Sequence, residues 1–409
     1  MRITIGIRCM VPKPPKVLAG RQNWLKASDF KLDDLQAVLA HKLKLSDLTF
    51  ADDIQQQVPL YDGPALLAQM HADTSGEQSA QIQSEWQWVW ESGPGILVIK
   101  QAFADAQVID RAKSLFDDIY QHEKLAERSA TDHFAKPGAN ERIWNAAEKL
   151  CVQDPELFAR YYGNELLRLA ATAWLGPGYQ ITSQTNSVNP GGQAQVAHRD
   201  YHLGFMTPDQ AEAYPAHIHR LSPALTLQCA IAHVDMPLES GPTLYLPHSQ
   251  KYPLGYLLAD CAPLHDYFAT HRVQLALAKG DLVLFNPALF HAAGTNTSKD
   301  IKRAANLLQI SSPFGRAMES VDRAKMSRLL FPQLKALAAS GELSAAQIDA
   351  VIAASAEGYA FPTNLDLDPP RDGLAPPSQQ ALLRQALAEQ WSEAAFELAL
   401  ERHGEKRTT

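Results

Sequence analysis

Cysteine is scarce in this 409-residue chain, and the four cysteines that it has lie far apart. They occupy positions 10, 151, 229 and 261, and no Cys-x-x-Cys pair occurs among them. This spacing excludes a zinc ribbon built from thiolates and argues against a disulfide framework. We therefore expect reduced thiols, most of them buried, in a cytoplasmic protein.

Long hydrophobic runs and an excess of positive charge are also missing. No stretch approaches the roughly 20 apolar residues that a membrane span requires. The N-terminal run MRITIGIRCMVPKPPK is interrupted by Arg8 and by prolines, so it lacks the apolar core of a signal peptide. The 37 Lys and Arg residues are outnumbered by 45 Asp and Glu residues, which gives a formal charge of −8. We therefore expect neither a membrane nor a nucleic acid as partner.

The overall composition is that of an ordinary globular protein, with 46% hydrophobic and 20% charged residues. The length allows two or three domains, or one large domain with additions. From the changes in texture along the chain we divide it into three parts. These are an N-terminal extension of unknown role (1–84), a central domain (85–320) and a helical C-terminal extension (321–409).

Hydrophobic periodicity predicts the elements that lead into the central domain. The run EWQWVW places Trp86, Trp88 and Trp90 at a spacing of two, which is typical of one face of a strand. GPGILVIKQAF predicts a buried strand, and residues 106–125 after it have helical spacing. Residues 155–175 predict a second amphipathic helix.

Between about 178 and 312 the pattern changes to short strands separated by Gly, Pro and Asn. Several such strands predict an antiparallel sandwich or barrel. After residue 320 helical patterns return, separated by the proline-rich run TNLDLDPPRDGLAPP. The predicted fold class is therefore mainly β with flanking helices, of the α+β type.

Two places in the β-rich region carry residues suited to metal chemistry. In VAHRDYH, His198 and Asp200 stand two residues apart, so both side chains leave an extended backbone on one face. In LVLFNPALFHAAGTNTSKDIKRAANLLQI, His291 ends one apolar strand and Arg303 lies early in the next. A hairpin centred on Thr297 would pair His291 directly with Arg303, with both side chains on the same face.

Two histidines and one carboxylate on one face of a metal ion form the arrangement of non-haem iron(II) sites, which leaves three positions open. A co-substrate with a keto-acid end can take two of these positions, and O2 can take the third. The remote carboxylate of that co-substrate requires a fixed cation, and Arg303 offers planar, bidentate geometry. A zinc hydrolase with the same ligands and a non-catalytic jelly-roll binding protein are alternatives, but both leave Arg303 unexplained.

The motifs HRDYH, SGPTLYLPHSQ and KGDLVLFNPALFHAAG, with an arginine twelve residues after the distal histidine, resemble the phytanoyl-CoA dioxygenase family. The likeness covers about residues 90–315. It implies a double-stranded β-helix core, a jelly-roll or cupin-like fold. It also implies a dioxygenase that uses iron(II), 2-oxoglutarate and O2, hydroxylates an unactivated C–H bond of a small organic molecule, and releases succinate and CO2. Desaturation, ring formation, the primary substrate and the oligomeric state remain open.

The resemblance also implies roles for individual residues. His198, Asp200 and His291 match the metal ligands of the family, and Arg303 matches the residue that binds the distal carboxylate of 2-oxoglutarate. The segment 203–223 follows the metal motif directly, and such segments often cover sites and select substrates. We expect it to form a cover over the metal rather than a rigid strand.

Three further positions are implied to lie near the co-substrate. Gln228 occupies a place where relatives often have an aromatic residue beside 2-oxoglutarate. Gln184 resembles a glutamine that lines the pocket in some members. Relatives commonly have a hydroxyl residue two positions after the distal histidine, where this chain has Ala293, and Thr295 is the candidate replacement.

Overall fold

The structure is a computed structural model, and it describes residues 23–125, 139–370 and 373–407. Its strands are β1 (Asp53–Gln55), β2 (Val58–Asp62), β3 (Ile96–Lys100), β4 (Asn140–Ile143), β5 (Gln180–Val188), β6 (Thr226–Ala232), β7 (Leu244–Tyr245), β8 (Val273–Gln274), β9 (Leu282–Phe285), β10 (His291–Ala292) and β11 (Arg303–Ser311). Its α-helices are α1 (Leu32–Leu39), α2 (Gly63–Ala72), α3 (Glu77–Glu91), α4 (Ala106–Leu125), α5 (Ala146–Gln153), α6 (Pro155–Tyr162), α7 (Glu165–Leu175), α8 (Pro208–Glu212), α9 (Ala216–Ala224), α10 (Ala262–His271), α11 (Arg323–Ala339), α12 (Ala345–Ser355), α13 (Gln379–Ala388) and α14 (Glu393–Glu405).

The strands form two sheets that pack face to face. The large sheet has the order β1-β2-β3-β9-β6-β11-β5-β4, and the small sheet has the order β10-β7-β8. All pairings are antiparallel except that of β2 with β3. Tyr245 of the small sheet meets Phe285 of the large sheet with the ring centroids 5.2 Å apart. Two sheets around one interior, with helices outside, confirm the predicted jelly-roll core.

Helices cover the outer face of the large sheet and form the main hydrophobic core with it. The strand predicted for the EWQWVW run is wrong, because these residues lie in α3. Trp86 and Trp90 are four residues apart and fully buried on one helical face, and Trp90 Nε1 donates to Leu284 O of β9 at 3.2 Å. Residues four apart lie on one face of a strand and also on one face of a helix, so the tryptophan pattern alone did not distinguish the two.

The predicted helix over 155–175 is also corrected, since it consists of two helices, α6 and α7. Asn164 begins the second helix, and its side-chain oxygen accepts a hydrogen bond from Leu167 N at 2.9 Å. An asparagine cap of this kind satisfies an amide at the start of a new helix and favours a break there. The predicted helix over 106–125 and the predicted strand in GPGILVIKQAF are confirmed by α4 and β3.

The two end segments adjoin the central sheet. Strands β1 and β2 extend the large sheet beyond β3, and the predicted boundary after residue 84 falls inside α3. The helical character predicted after residue 320 is confirmed by α11 to α14. The three-part division of the chain stays a prediction. Within the described ranges, every helix is too short or too polar to cross a membrane.

Candidate metal centre

The two sequence sites that carry the candidate ligands meet through backbone hydrogen bonds. His198 N donates to His291 O at 3.0 Å, and His291 N donates to His198 O at 3.1 Å, which forms an isolated antiparallel bridge. Asp200 N donates to Pro287 O at 3.0 Å. These three bonds hold the segment before β10 against the His198–Asp200 segment, so that residues about ninety positions apart in sequence become neighbours.

Both histidines offer the same ring nitrogen to the interior. His198 Nδ1 lies 2.8 Å from Val196 O, and His291 Nδ1 lies 2.9 Å from Leu289 O. A proton on Nδ1 satisfies each carbonyl and leaves the lone pair of Nε2 free, which is the form of imidazole that binds a metal. One candidate ligand atom each from His198, Asp200 and His291 lies within 4.8 Å of the others. The cluster therefore has the size and donor set of a site for one ion.

Asp200 is oriented by a glutamine as well as by the histidines. Gln228 Nε2 donates to Asp200 Oδ2 at 2.5 Å. The same oxygen lies 3.3 Å from His291 Nε2, and Oδ1 lies 3.8 Å from His198 Nε2. Burial alone would raise the pKa of Asp200, but the hydrogen bonds and charges of its neighbours outweigh this and hold the pKa well below its usual range. The carboxylate is therefore ionised and ready to act as a ligand.

Arg303 reaches the same interior from the opposite sheet. The predicted hairpin that pairs His291 with Arg303 is wrong, because Arg303 begins β11 and pairs with Val188, while His291 pairs with Tyr245 in the small sheet. The residues after His291 cross from one sheet to the other instead of turning back in the same sheet. Arg303 and His291 nevertheless line one cavity.

The guanidinium of Arg303 is buried without a carboxylate partner among the described residues. Its Nη1 donates to Ser240 O at 3.1 Å and to Gly294 O at 3.3 Å. Burial lowers its pKa to about 10, with the Tyr245 side chain acting in the opposite direction. At neutral pH the group is still charged, and two of its five N–H donors are used by those carbonyls. A buried cation with free donors in a cavity is suited to bind an anionic ligand.

The cavity between the sheets has a volume of about 610 Å³, which is the size of a small-molecule site. Its lining combines the metal cluster, Arg303, amide side chains and an apolar part. Beside the cluster and Arg303, the lining includes Gln184, Tyr201, Gly204, Phe205, Gln228, Gln309 and Met318.

Of the three further residues predicted to lie near the co-substrate, two line the cavity. Gln184 lines the cavity, its Oε1 accepts from Arg142 Nη1 at 2.8 Å, and its Nε2 lies 3.4 Å from Met318 Sδ. Gln228 lines the cavity but contacts the metal-ligand candidate Asp200. Thr295 is not among the cavity-lining residues described, and its Oγ1 accepts a hydrogen bond from Ala194 N at 3.0 Å.

The segment 203–223 is helical for much of its length, since it contains α8 and most of α9. Gly204 and Phe205 at its beginning line the cavity, and the Phe205 side chain packs edge-on against Tyr201 with the ring centroids 5.2 Å apart. Phe205 is 55% exposed, which places it at the mouth of the cavity. Gln309 also lines the cavity and was not predicted, although alternation from Arg303 along the predicted strand places it on the same face.

A His–Asp–His cluster in the interior of a jelly roll, with a buried arginine facing the same cavity, defines the class of non-haem iron oxygenases. The family model for phytanoyl-CoA dioxygenase matches residues 93–304, slightly more than half of the chain. The chain therefore belongs to the phytanoyl-CoA dioxygenase family. This confirms the prediction of a dioxygenase that depends on iron and 2-oxoglutarate, with O2 as the further co-substrate.

Individual relatives are distant. The chain is 24% identical over 261 residues to "Dioxygenase trt7" of Aspergillus terreus, covering 61% of this chain and 78% of the relative. Among solved structures, the 2-oxoglutarate-dependent carbocyclase SnoK from nogalamycin biosynthesis is 20% identical, with a TM-score of 0.42 over 61% of this chain and 92% of its own. HygX from Streptomyces hygroscopicus, crystallised with nickel, 2-oxoglutarate and hygromycin B, is 15% identical, with a TM-score of 0.40 over 58% and 90%. Both TM-scores lie below 0.5, so these two structures add nothing to the family assignment.

Proposed function

We propose that this protein hydroxylates an unactivated C–H bond of a small organic molecule, with iron(II) held by His198, Asp200 and His291. The donor set of two imidazole nitrogens and one carboxylate suits iron(II). The tautomers fixed by Val196 O and Leu289 O keep both Nε2 atoms available to it. When bound, iron(II) with 2-oxoglutarate and O2 supplies the oxidising power for C–H cleavage, and 2-oxoglutarate leaves as succinate and CO2.

Arg303 is proposed to bind the distal carboxylate of 2-oxoglutarate. Its Nη1 is anchored by two backbone carbonyls, so the guanidinium plane is fixed before the ligand arrives. The remaining donors can form a bidentate pair with a carboxylate, which fixes both the position and the direction of the co-substrate. Thr295 is left out of this role because it is not among the cavity-lining residues described.

The rest of the cavity is proposed to hold the primary substrate. Phe205 and Tyr201 present an apolar surface near the mouth, and Gln184 presents a polar one deeper in the sheet. Such a site would hold a molecule that has both apolar and polar parts. It would also keep bulk water away from the metal while the C–H bond is attacked.

The observation that carries the proposal is the buried charge of Arg303 beside the His–Asp–His cluster, without a carboxylate partner among the described residues. Arg199 is buried to a similar degree and is also held by backbone carbonyls, but Arg303 differs in lining the same cavity as the cluster, where a carboxylate can reach it. The experiment measures succinate formation from 2-oxoglutarate with Fe(II) and O2, together with metal affinity. We expect His198→Ala to remove tight Fe(II) binding and succinate formation, while His122→Ala, at an exposed histidine of α4, keeps both. Full activity of His198→Ala would reject the ligand assignment.

A further inference from the structure

Two glutamines that face each other across the large sheet have buried oxygens without donors. Gln228 of β6 and Gln309 of β11 are direct partners in the antiparallel register. Both side chains line the cavity and are more than nine-tenths buried. The Oε1 atoms of both have no hydrogen-bond partner among the described residues. Buried amide oxygens are normally satisfied, so two adjacent ones need a common explanation.

A half-turn of the Gln309 carboxamide would give Gln228 Oε1 a donor and would turn Gln309 Oε1 toward the cavity. The two ends of a carboxamide have the same shape, so this rotation leaves the packing unchanged. Side chains of direct cross-strand partners are close enough to contact each other. When Gln309 turns, its Nε2 can donate to Gln228 Oε1, and its own oxygen then faces the cavity. The Nε2 of Gln228 already donates to Asp200 Oδ2, so the Gln228 orientation is fixed.

We propose that Gln309 and Gln228 form an amide relay that positions the Asp200 carboxylate for metal binding. Gln309 would donate to Gln228, and Gln228 donates to Asp200 Oδ2, which leaves Oδ1 available to bind the metal. This proposal rests on the proposed function, because it assumes that Asp200 is a ligand. Both glutamines are positioning residues, since neither contacts the metal. Partners of metal ligands typically contribute about 10- to 100-fold in metal affinity.

The test uses methionine variants, which keep the length and bulk of glutamine but cannot donate a hydrogen bond. The probe is Co(II), whose affinity and visible absorption are measured by anaerobic titration of the full-length protein. Gln228→Met should weaken Co(II) binding by about 10- to 100-fold, and Gln309→Met by about 10-fold. Both should change the Co(II) absorption spectrum, which a purely structural role would not. The matched control is Gln180→Met, a buried glutamine of β5 that bonds Ser312 O and is not among the cavity-lining residues described.

The double variant distinguishes a relay from two separate effects. If the residues act in series, Gln228→Met with Gln309→Met should bind Co(II) no more weakly than Gln228→Met alone. Additive losses, or a Gln309→Met protein with normal affinity and spectrum, would overturn the relay while leaving the metal site intact. Absence of Co(II) binding by the wild-type protein would overturn the relay and the proposed function together. Thermal unfolding of each variant shows whether a lost affinity reflects a lost fold, and Gln309→Leu, which also has no hydrogen-bond donor, should then reproduce the loss.

Discussion

Replacement of Arg303 tests how the cavity recognises 2-oxoglutarate. Arg303 is 8% exposed, and Ser240 O and Gly294 O hold its Nη1. Burial that lowers its pKa from 12.5 to about 10 corresponds to about 3 kcal/mol against the charged form. The distal carboxylate of 2-oxoglutarate would offset this penalty. Arg303→Met leaves that carboxylate in the same buried place without a cation.

The expected loss follows from this burial. Removing one partner of a buried, hydrogen-bonded charge pair typically costs about 2–5 kcal/mol, so the affinity for 2-oxoglutarate should fall by roughly 30-fold or more. At a concentration of 100 times the wild-type Kd, 2-oxoglutarate should stabilise the wild-type protein by about 2.7 kcal/mol. A 30-fold weaker variant should gain only about 0.9 kcal/mol at that concentration. Arg303→Lys should recover only part, because a point charge does not reproduce the bidentate fork.

The assay combines anaerobic calorimetry with 2-oxoglutarate, thermal unfolding with and without it, and the KM for 2-oxoglutarate from succinate formation. The control is Arg402→Ala, at an exposed arginine near the end of α14, which should change none of these. Fe(II) affinity should survive in Arg303→Met, since the arginine donates no electrons to the metal. An unchanged Kd and KM for 2-oxoglutarate would refute the role of Arg303, and a parallel loss of Fe(II) binding would show that the change had disturbed the whole site.

Three further predictions concern the metal, the mouth of the cavity and the core. Asp200→Ala should abolish tight Fe(II) binding and turnover, and retained turnover would reject Asp200 as a ligand. Substrate binding should slow amide exchange across 203–223. Shortening this segment should uncouple 2-oxoglutarate consumption from product formation. Fast exchange with substrate bound, together with tight coupling in the shortened variant, would show that the segment is a plain connection between its neighbouring elements. Burial lowers the pKa of His233, which lies 2.7 Å from the Tyr161 hydroxyl, to about 3. The folded state then binds fewer protons than the unfolded state, so the free energy of unfolding should fall by roughly 4 kcal/mol between pH 6.5 and 3. His233→Phe should flatten this fall in acid titrations, and an unchanged slope would contradict the assignment.

The chemistry of the site was readable from residue types and short spacings. His198 and Asp200 are two residues apart, and that spacing alone places both on one face of extended backbone. His291 and the arginine twelve residues later completed a set that the mechanism of an iron(II)- and 2-oxoglutarate-dependent oxygenase explains together. These features are local, because they depend on the identity of a few side chains and on the direction of one short strand.

Which strands become neighbours was decided by the tertiary structure. The sequence favoured a hairpin between His291 and Arg303, yet they belong to different sheets and meet only across the cavity. Strand pairing depends on burying apolar faces of segments far apart in the chain, and a turn of irregular length leaves it undetermined. For the same reason the sequence did not predict the hydrogen bond from Gln228 to Asp200, which joins residues 28 positions apart.

In the core, the local sequence pattern favoured a strand where the packed structure has a helix. The spacing of Trp86 and Trp90 suits both a strand and a helix, and burial of both against β9 is possible in the helix that the structure has. The sequence by itself therefore determined the family, the candidate metal ligands and the general β-rich fold. The tertiary structure alone decided the sheet to which each site residue belongs and the pairing of Gln228 with Gln309, because those follow from packing between distant segments.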